Sequence, residues 1–442
     1  MGFADAYLLK AGLCEALIEP EPHPGLTISV ILPVYNESGL ERCLDSLFQC
    51  TCGGDPSGNS SGFHAEVLIL INAPANDSPS VLEQNRTSLE DTQSWIKAHP
   101  HPCMDFFVWL DHSFGRKEAG VGTARKILMD EAARRFSALE RPEGIIASMD
   151  ADAVVQPNYL EALVNHFENG PGGPDGPDGC AIRFEHPLGG KSSTGEPQGG
   201  DSPDNEQFPS EVYRAIIQYE LHLRYYLQSV RYTGYPYAYH TVGSSFAVRS
   251  DIYCMEGGMN RRQGGEDFYF IQKVAQRGNF SQCNSTCVIP SPRPSDRVPF
   301  GTGPAIKRLA EHEDPLMTYN SKPFALLKEF FEAINHPEKL SGPWPEPLES
   351  FLKEQEFGAA LAEIDNNSAS APAFRKRFWR WFSMFRIMKF LHFARENGYP
   401  NMELGKAASE LLRQLDPETR GIPSVASDLK KLLLVYRMLD LR

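Results

Sequence analysis

Two acidic pairs in this chain have the residue types and spacing to do chemistry. In IASMDADAVVQPNYL, residues 146–160, Asp150 and Asp152 stand two positions apart inside an apolar run. Two hard oxygen ligands at that spacing suit Mg²⁺ or Mn²⁺, which take few protein carboxylates and fill the remaining positions with water and substrate phosphates. The strand must bend at Ala151 for both carboxylates to reach one ion. A purely structural assignment is also open: Asp152 begins a turn and caps the helix after Pro157, while Asp150 forms a salt bridge. The second pair is Glu266 and Asp267, after Gly264 and Gly265. Acids in a first helical turn favour the macrodipole and cap free N–H groups, worth about 0.3–1 kcal/mol.

The elements that must position these acids follow from hydrophobic patterning. Residues 27–34 (TISVILPV) form a short β-branched run containing Pro33, and residues 37–48 follow with helical spacing of Leu40, Leu44, Leu47 and Phe48. The pattern recurs as 65–71 with 78–98, 105–110 with 118–136, and 144–149 with 158–167. Strand and helix pairs in succession imply right-handed crossovers and a mostly parallel sheet with helices on both faces. The expected fold class is therefore α/β: a Rossmann-like, mostly parallel sheet flanked by helices, with a helical C-terminal extension. Ligands of such sheets bind at the carboxyl ends of the strands, where Asp150 and Asp152 fall.

Helical spacing resumes over 212–230, followed by strand-like residues 245–248, a helix opening at 264–267 and a strand over 283–289. From about residue 305 the pattern is helices and Pro-rich joints with no further strand. Segments 51–63 and 169–209 are rich in Gly, Pro, Ser and Asp and predict surface loops, the second around one strand-like island at 180–184. The expected organisation is an N-terminal segment (1–25), a sheet domain (26–304) with a mobile loop at about 169–209, and a helical C-terminal region (305–442).

Composition limits the function classes. At 442 residues with 41% apolar and 23% charged side chains, the chain can fill a large core and remain soluble. A net charge of −14 argues against nucleic acid as a partner, because counterion release needs a basic face. No apolar run approaches the ~20 residues of a spanning helix, and the start carries no signal-like pattern, so a cytoplasmic location is expected. The nine cysteines suggest reduced thiols rather than a disulfide frame. Cys50 with Cys52, and Cys283 with Cys287, could bind a soft metal, although unmatched pairs are more often incidental.

The stretches TISVILPVYNE (27–37), GVGTARK (120–126), SMDAD (148–152) and GGEDFYF (264–270), in that order, resemble the nucleotide-sugar glycosyltransferases of family 2, which share the GT-A fold. The likeness spans about residues 26–290. It implies an inverting, hexosyltransferase-type enzyme that moves one sugar from a nucleoside diphosphate donor, a UDP-sugar by preference, to a hydroxyl of a glycan, lipid or small-molecule acceptor. On this resemblance Pro33, Val34, Tyr35, Asn36 and Glu37 hold the base and ribose, Asp150 with Ala151 lies against the ribose or just behind the metal, and Asp152 is the direct Mn²⁺ or Mg²⁺ ligand. Gly120 lets the chain pass close to the nucleotide and Arg125 reaches the acidic edge. Asp267 is the general base, with Glu266 its supporting or acceptor-binding neighbour and Gly265 a candidate for the acceptor side or a lid. Asn72 stands where many members place an aspartate against the base. Glu118 and Lys126 replace common asparagines, and no Q-x-x-R-W follows the E-D pair. The alternatives are a nucleotidyltransferase on a related fold, which normally has a Gly-rich basic loop after its first strand, and a non-catalytic nucleotide-sugar or glycan binder.

Further candidates for the acceptor side or a lid are Glu185, His186, His240, Gly243, Ser244, Ser245 and Arg297. Near the end, FRKRFWRWF (374–382) mixes aromatics with basic side chains, and Phe378, Trp381, Phe385 and Met388 could share one helical face. A helix over 374–393 could touch an anionic membrane peripherally, or its aromatic face could be core.

Overall fold

The computed structural model describes residues 2–13, 15–53, 62–116, 118–172, 176–189, 208–260, 264–297, 301–312, 314–336, 339–415 and 428–442. Most of the expected loop at 169–209, and of that at 51–63, lies outside them. The described chain forms two compact units, residues 1–208 with 239–304, and residues 209–238 with 305–442.

The first unit runs α1 (Asp5–Ala11), β1 (Leu26–Val34), α2 (Leu40–Phe48), β2 (His64–Pro74), α3 (Pro79–Ala98), β3 (Met104–Phe114), α4 (Val121–Ala138), β4 (Ile145–Ser148), β5 (Val154–Val155), α5 (Tyr159–Asn169) and β6 (Gly179–Phe184). After α6 (Ser210–Tyr232), which packs with the second unit, come β7 (Phe246–Arg249), α7 (Ser250–Met255), α8 (Glu266–Ala275) and β8 (Phe280–Ile289). Among the described residues these strands make one eight-stranded sheet in the order β3-β2-β1-β4-β7-β6-β8-β5. The pairings β3-β2, β2-β1, β1-β4 and β6-β8 are parallel, while β7 is antiparallel to both β4 and β6, and β5 is antiparallel to β8. Six strands therefore share one direction. This is the mostly parallel, helix-flanked α/β sheet that the sequence leads one to expect.

Burial explains why β1 and β2 are apolar almost throughout: both are interior strands and nearly every residue is covered. Pro33 is tolerated because the β4 ladder ends at Ile31 opposite Ser148, so the missing donor falls beyond that pairing. The one acid within β2, Glu66, is buried but paired: it accepts from Ser29 Oγ at 2.6 Å and from Arg135 Nε at 2.8 Å. The N-terminal segment docks on α4, where Tyr7 and Lys126 both donate to Asp130 at 2.5 and 2.8 Å. Lys126, one of the departures noted above, thus has a structural partner.

The second unit contains α6, α9 (Thr302–Glu311), across which the division falls, β9 (Met317–Thr318), α10 (Lys322–Glu332), α11 (Leu348–Glu354), α12 (Phe357–Asn366), α13 (Ala371–Trp381), α14 (Met384–Glu396), β10 (Met402–Glu403), α15 (Leu404–Leu415) and α16 (Leu429–Asp440). The short antiparallel pair β9-β10 corrects the expectation of no strand after residue 305; two-residue strands leave no periodic signal. A single helix over 374–393 is also not found, because α13 ends at Trp381 and α14 starts at Met384. The break turns Phe378 and Phe382 into the core, where their rings lie 5.9 and 5.5 Å from that of Phe330 on α10, while Phe385 stays exposed. Among the described residues no helix is long and apolar enough to cross a membrane.

Buried charge ties α6 to α16. Glu220 accepts from Arg224 Nε at 2.8 Å and from Arg437 Nε and Nη2, each at 2.8 Å, and Asp440 accepts from Gln228 at 2.6 Å and from Arg224. Removing one member of such a cluster strands a buried opposite charge. Glu220→Ala is expected to lower stability by about 3–5 kcal/mol, read from the denaturant midpoint at constant slope.

Candidate active site

The carboxyl ends of the strands assemble the site. β1 hands the chain to Tyr35–Asn36–Glu37, and β4 to Met149–Asp152. Because β7 runs against β4, its beginning lies at the same rim: Phe246 is opposite Ser148, and the preceding residues 243–245 flank the end of β4. α4 and α8 start there as well, bringing Arg125, Glu266 and Asp267 to it.

Arg125 is the centre of one half. Its guanidinium, 3% exposed, donates from Nε to Ser148 Oγ at 3.0 Å, from Nη2 to Asp150 Oδ1 at 2.8 Å and from Nη1 to Glu266 Oε1. Ser148 in turn donates to the Gly243 carbonyl at 2.7 Å. Burial disfavours the cation, but Asp150, Glu266 and Asp267 outweigh it and hold Arg125 charged. Asp267 Oδ1 accepts from the N–H of Phe268 at 2.7 Å in the first turn of α8. A Cβ on Gly243 would stand 2.9 Å from Asp267 Oδ2 and 3.0 Å from Arg125 Nη2, so these two side chains meet against that glycine. Burial pushes the Asp267 carboxyl up to about 6; Arg125 opposes the shift, while Glu266 and Asp150 reinforce it. Gly265, immediately before α8, has φ +71°, a conformation that costs a side-chain-bearing residue about 1 kcal/mol or more.

The other half is built on Glu37. Its carboxylate, 1% exposed, accepts from Arg293 Nη2 at 2.6 Å, Arg297 Nη1 at 2.6 Å and the Gly39 N–H at 2.9 Å. Burial alone would raise its pKa, yet the two arginines win and lower it. Arg293 also stands 3.6 Å from Asp152 Oδ2. Asp150 and Asp152 diverge because the Ala153 N–H donates to the Asp150 carbonyl at 3.1 Å, closing a tight turn around buried Ala151. Asp150 therefore faces Arg125, and Asp152 faces the arginine side. Asp152, 34% exposed, is pushed up to about 6 by burial and by Asp150 and Glu37, against Arg293 and Arg297. Asp152 does not cap the following helix: Asn158 occupies that position, and no side-chain cap bond forms there.

Tyr35 donates to Asp77 Oδ2 at 2.9 Å, and Asn36, at φ +50°, has its N–H bound by Asn85 Oδ1 at 2.8 Å. Asn72 is buried and donates to the Gly120 carbonyl at 3.4 Å. Several acceptor-side candidates are interior instead. Ser244 and Ser245 are buried, and the latter's backbone joins the sheet through Ile182. His186 is buried, whereas His240 is half-buried, packing edge-on to Phe184 at 5.0 Å. Glu185 is mostly covered and accepts from Arg183 at 2.8 Å. Ser148, Arg293 and Asp77 were not assigned roles from sequence. Arg293 had a signal, as the second arginine beside Arg297 in the Pro- and Gly-rich stretch 291–305.

No protein-family model matches the chain, and no curated protein matches it. Among solved structures, S. aureus TarS 1–349 in complex with UDP-GlcNAc is 12% identical with a TM-score of 0.36, covering 94% of this chain and 90% of that one. The same TarS fragment with UDP is 13% identical at TM-score 0.34, covering 84% and 87%, and a longer TarS structure is 13% identical at 0.33, covering 84% and 53%. Scores this low carry no weight for function, so the site is judged on its own geometry: an acidic and arginine-lined rim on an α/β sheet.

Gly243→Ala forces its methyl onto a short carboxylate and a guanidinium pinned at three points. A loss of about 1–3 kcal/mol is expected, visible as a lowered unfolding midpoint.

Proposed function

We propose that the protein is an inverting glycosyltransferase of the GT-A, family 2 type that moves one sugar from a nucleoside diphosphate donor, a UDP-sugar by preference, to an acceptor hydroxyl. The observation that carries this reading is the shared position of Asp150. It bonds Arg125 in the half that holds Asp267, and it raises the pKa of both Asp152 and Asp267. An acid suited to a cation and an acid suited to a proton thus stand on either side of one carboxylate at one rim.

The donor set fits a hard divalent cation. Asp152 is a partly exposed carboxylate beside two further acids, Asp150 and Glu37, with Arg293 3.6 Å away, and a carboxylate oxygen is the ligand type that Mg²⁺ and Mn²⁺ take. Mn²⁺ or Mg²⁺ would be held by Asp152, with Asp150 behind it, and when bound supplies charge neutralisation to the departing diphosphate. Arg293 and Arg297, anchored by Glu37, are placed to bind phosphate oxygens from the other side. Glu37 itself, having almost no exposed surface, acts through these arginines rather than on the ribose directly. Tyr35 and Asn36, fixed by Asp77 and Asn85, line the nucleoside end.

Asp267 takes the proton of the acceptor hydroxyl while that oxygen bonds to the anomeric carbon and the carbon–oxygen bond to the diphosphate breaks, its electron pair leaving with the phosphate. Burial, opposed by Arg125 and reinforced by Glu266 and Asp150, gives Asp267 the raised proton affinity that a base needs. Displacement from the face opposite the leaving group inverts the centre.

Asp267→Asn is expected to retain donor affinity and lose transfer by about 10²–10⁴-fold, the usual contribution of a general base. Asp152→Ala is expected to lose Mn²⁺-dependent donor binding in calorimetry; unchanged turnover by Asp267→Asn would refute the base assignment, and donor binding without turnover in the unaltered protein across acceptors would favour a non-catalytic binder.

The pH dependence follows from the same shift. Asp267 works only deprotonated, so at saturating donor and metal kcat is expected to rise up to pH about 6 and then level, with this limb absent in Asp267→Asn. A profile flat through pH 5 would place the base elsewhere.

A further inference from the structure

At the amino-terminal edge of the parallel strands, away from the acidic rim, two α-to-β connections converge. Cys52 lies in the loop after α2, while His101 and Cys103 lie between α3 and β3. One ligand atom from each of the three residues falls within 4.8 Å of the others. His101 Nδ1 and Cys103 Sγ are 3.8 Å apart, and Cys52 Sγ points at the Cys103 carbonyl at 3.7 Å. In tetrahedral zinc, with Zn–S of about 2.3 Å and Zn–N of about 2.0 Å, ligand atoms stand roughly 3.5–3.8 Å apart, so small side-chain rotations close this triangle on one ion.

We propose that Cys52, His101 and Cys103 form a site for a thiophilic divalent cation of the Zn²⁺ class, with water in the fourth position. The backbone that carries the ligands is already fixed: the Cys52 carbonyl accepts from Phe63 N–H at 3.0 Å, and the Cys103 carbonyl accepts from Ala65 N–H at 3.0 Å. The edge of Phe48 packs on the His101 ring at 5.1 Å and limits its rotation. Without metal, the Nδ1 lone pair accepts a long bond of 3.3 Å from the Cys103 N–H, which coordination replaces. Metal entry releases the two thiol protons to solvent and forms two Zn–S bonds and one Zn–N bond. Two thiolates and an imidazole disfavour Mg²⁺ and Mn²⁺, whereas Asp152 favours them, so the two edges of the sheet sort hard from soft ions. The pairing also differs from the one sequence spacing offers: Cys50 is directed to the carbonyls of Ser46 and Gln156, and among the described residues Cys283 and Cys287 gather no metal-ligating cluster. The effect of the ion is to clip the loop after α2 to the start of β3.

The test uses the full chain, reduced and stripped with chelator, titrated with Co²⁺ as a spectroscopic probe and then with Zn²⁺. One equivalent is expected to produce a thiolate-to-cobalt charge-transfer band with tetrahedral visible bands, all bleached by Zn²⁺. Cys52→Ser and Cys103→Ser are expected to lose the charge-transfer intensity, and His101→Gln to weaken affinity by at least the roughly 10- to 100-fold that even outer-shell partners cost. Asp152→Ala and Cys283→Ser should leave the spectrum unchanged. If the serine variants do not fold, the unaltered protein decides: stoichiometric Zn²⁺ should raise its melting temperature after stripping. No thiolate band in the fully reduced chain, a band that survives Cys52→Ser with Cys103→Ser, or a Cys52–Cys103 disulfide that forms in place of metal uptake would overturn the proposal.

Discussion

A single buried guanidinium organises the acidic rim. Arg125 is almost wholly withdrawn from water, and its charge is tolerable only because Asp150 and Glu266 meet it and Ser148 takes a third donor. The converse also holds, since Glu266 is 2% exposed and would be an uncompensated carboxylate without it. One positive charge against two negative ones leaves the cluster acidic before Asp267 is added. Burial is the main origin of the raised proton affinity of Asp267, with Arg125 opposing it and Glu266 and Asp150 reinforcing it. A carboxylate at a helix N-terminus would ordinarily have its proton affinity lowered by the dipole, and here burial, with the neighbouring acids, reverses the tendency.

The opposite side of the rim has another balance. Two arginines surround Glu37, and one of them approaches Asp152, so each cation there shares its charge with a protein acid instead of presenting it bare. Any anion entering this side would have to compete with Glu37 and Asp152 for the same guanidinium donors. The two halves differ across the rim, rich in acids around Arg125 and rich in arginine around Glu37, with Asp150 and Asp152 diverging between them.

The alternation of apolar runs with amphipathic segments made β1 to β4 and their helices legible, because interior parallel strands have few ways to look like anything else. Asp150, Asp152, Glu266 and Asp267 were legible as chemistry because acids at the end of a strand or start of a helix interrupt an apolar pattern. What stayed hidden was long-range and depended on side-chain direction. Nothing in the sequence pairs Arg293 with Glu37 across more than two hundred residues, and nothing distinguishes an acceptor-facing Ser244 from a buried one when both precede a strand. The periodicity of α6 likewise shows that one face is buried, not which partner covers it. The break between α13 and α14 escaped notice because Phe382 and Ser383 are compatible with helix, and core packing decides the stop. Cys52, His101 and Cys103 show the same limit, since the ligands nearest in sequence are not those nearest in space.

The reversed strand β7 explains how the two acid sites can be far apart in sequence and share a rim. In a wholly parallel sheet every strand delivers its carboxyl end to the ligand side, and each loop there must lead directly into a covering helix. Inserting one antiparallel strand between β4 and β6 brings a strand beginning to that edge, so residues 243–245 arrive from the opposite direction and lie against the end of β4. The Gly243 carbonyl can then accept from Ser148, and the absence of a side chain at Gly243 leaves room for Arg125 and Asp267 to meet. The helix that follows β7 and α7 starts at the same rim with Glu266 and Asp267. The Asp150 and Glu266 sides of the rim are thus carried by separate stretches of chain, joined through the three-way bonding of Arg125.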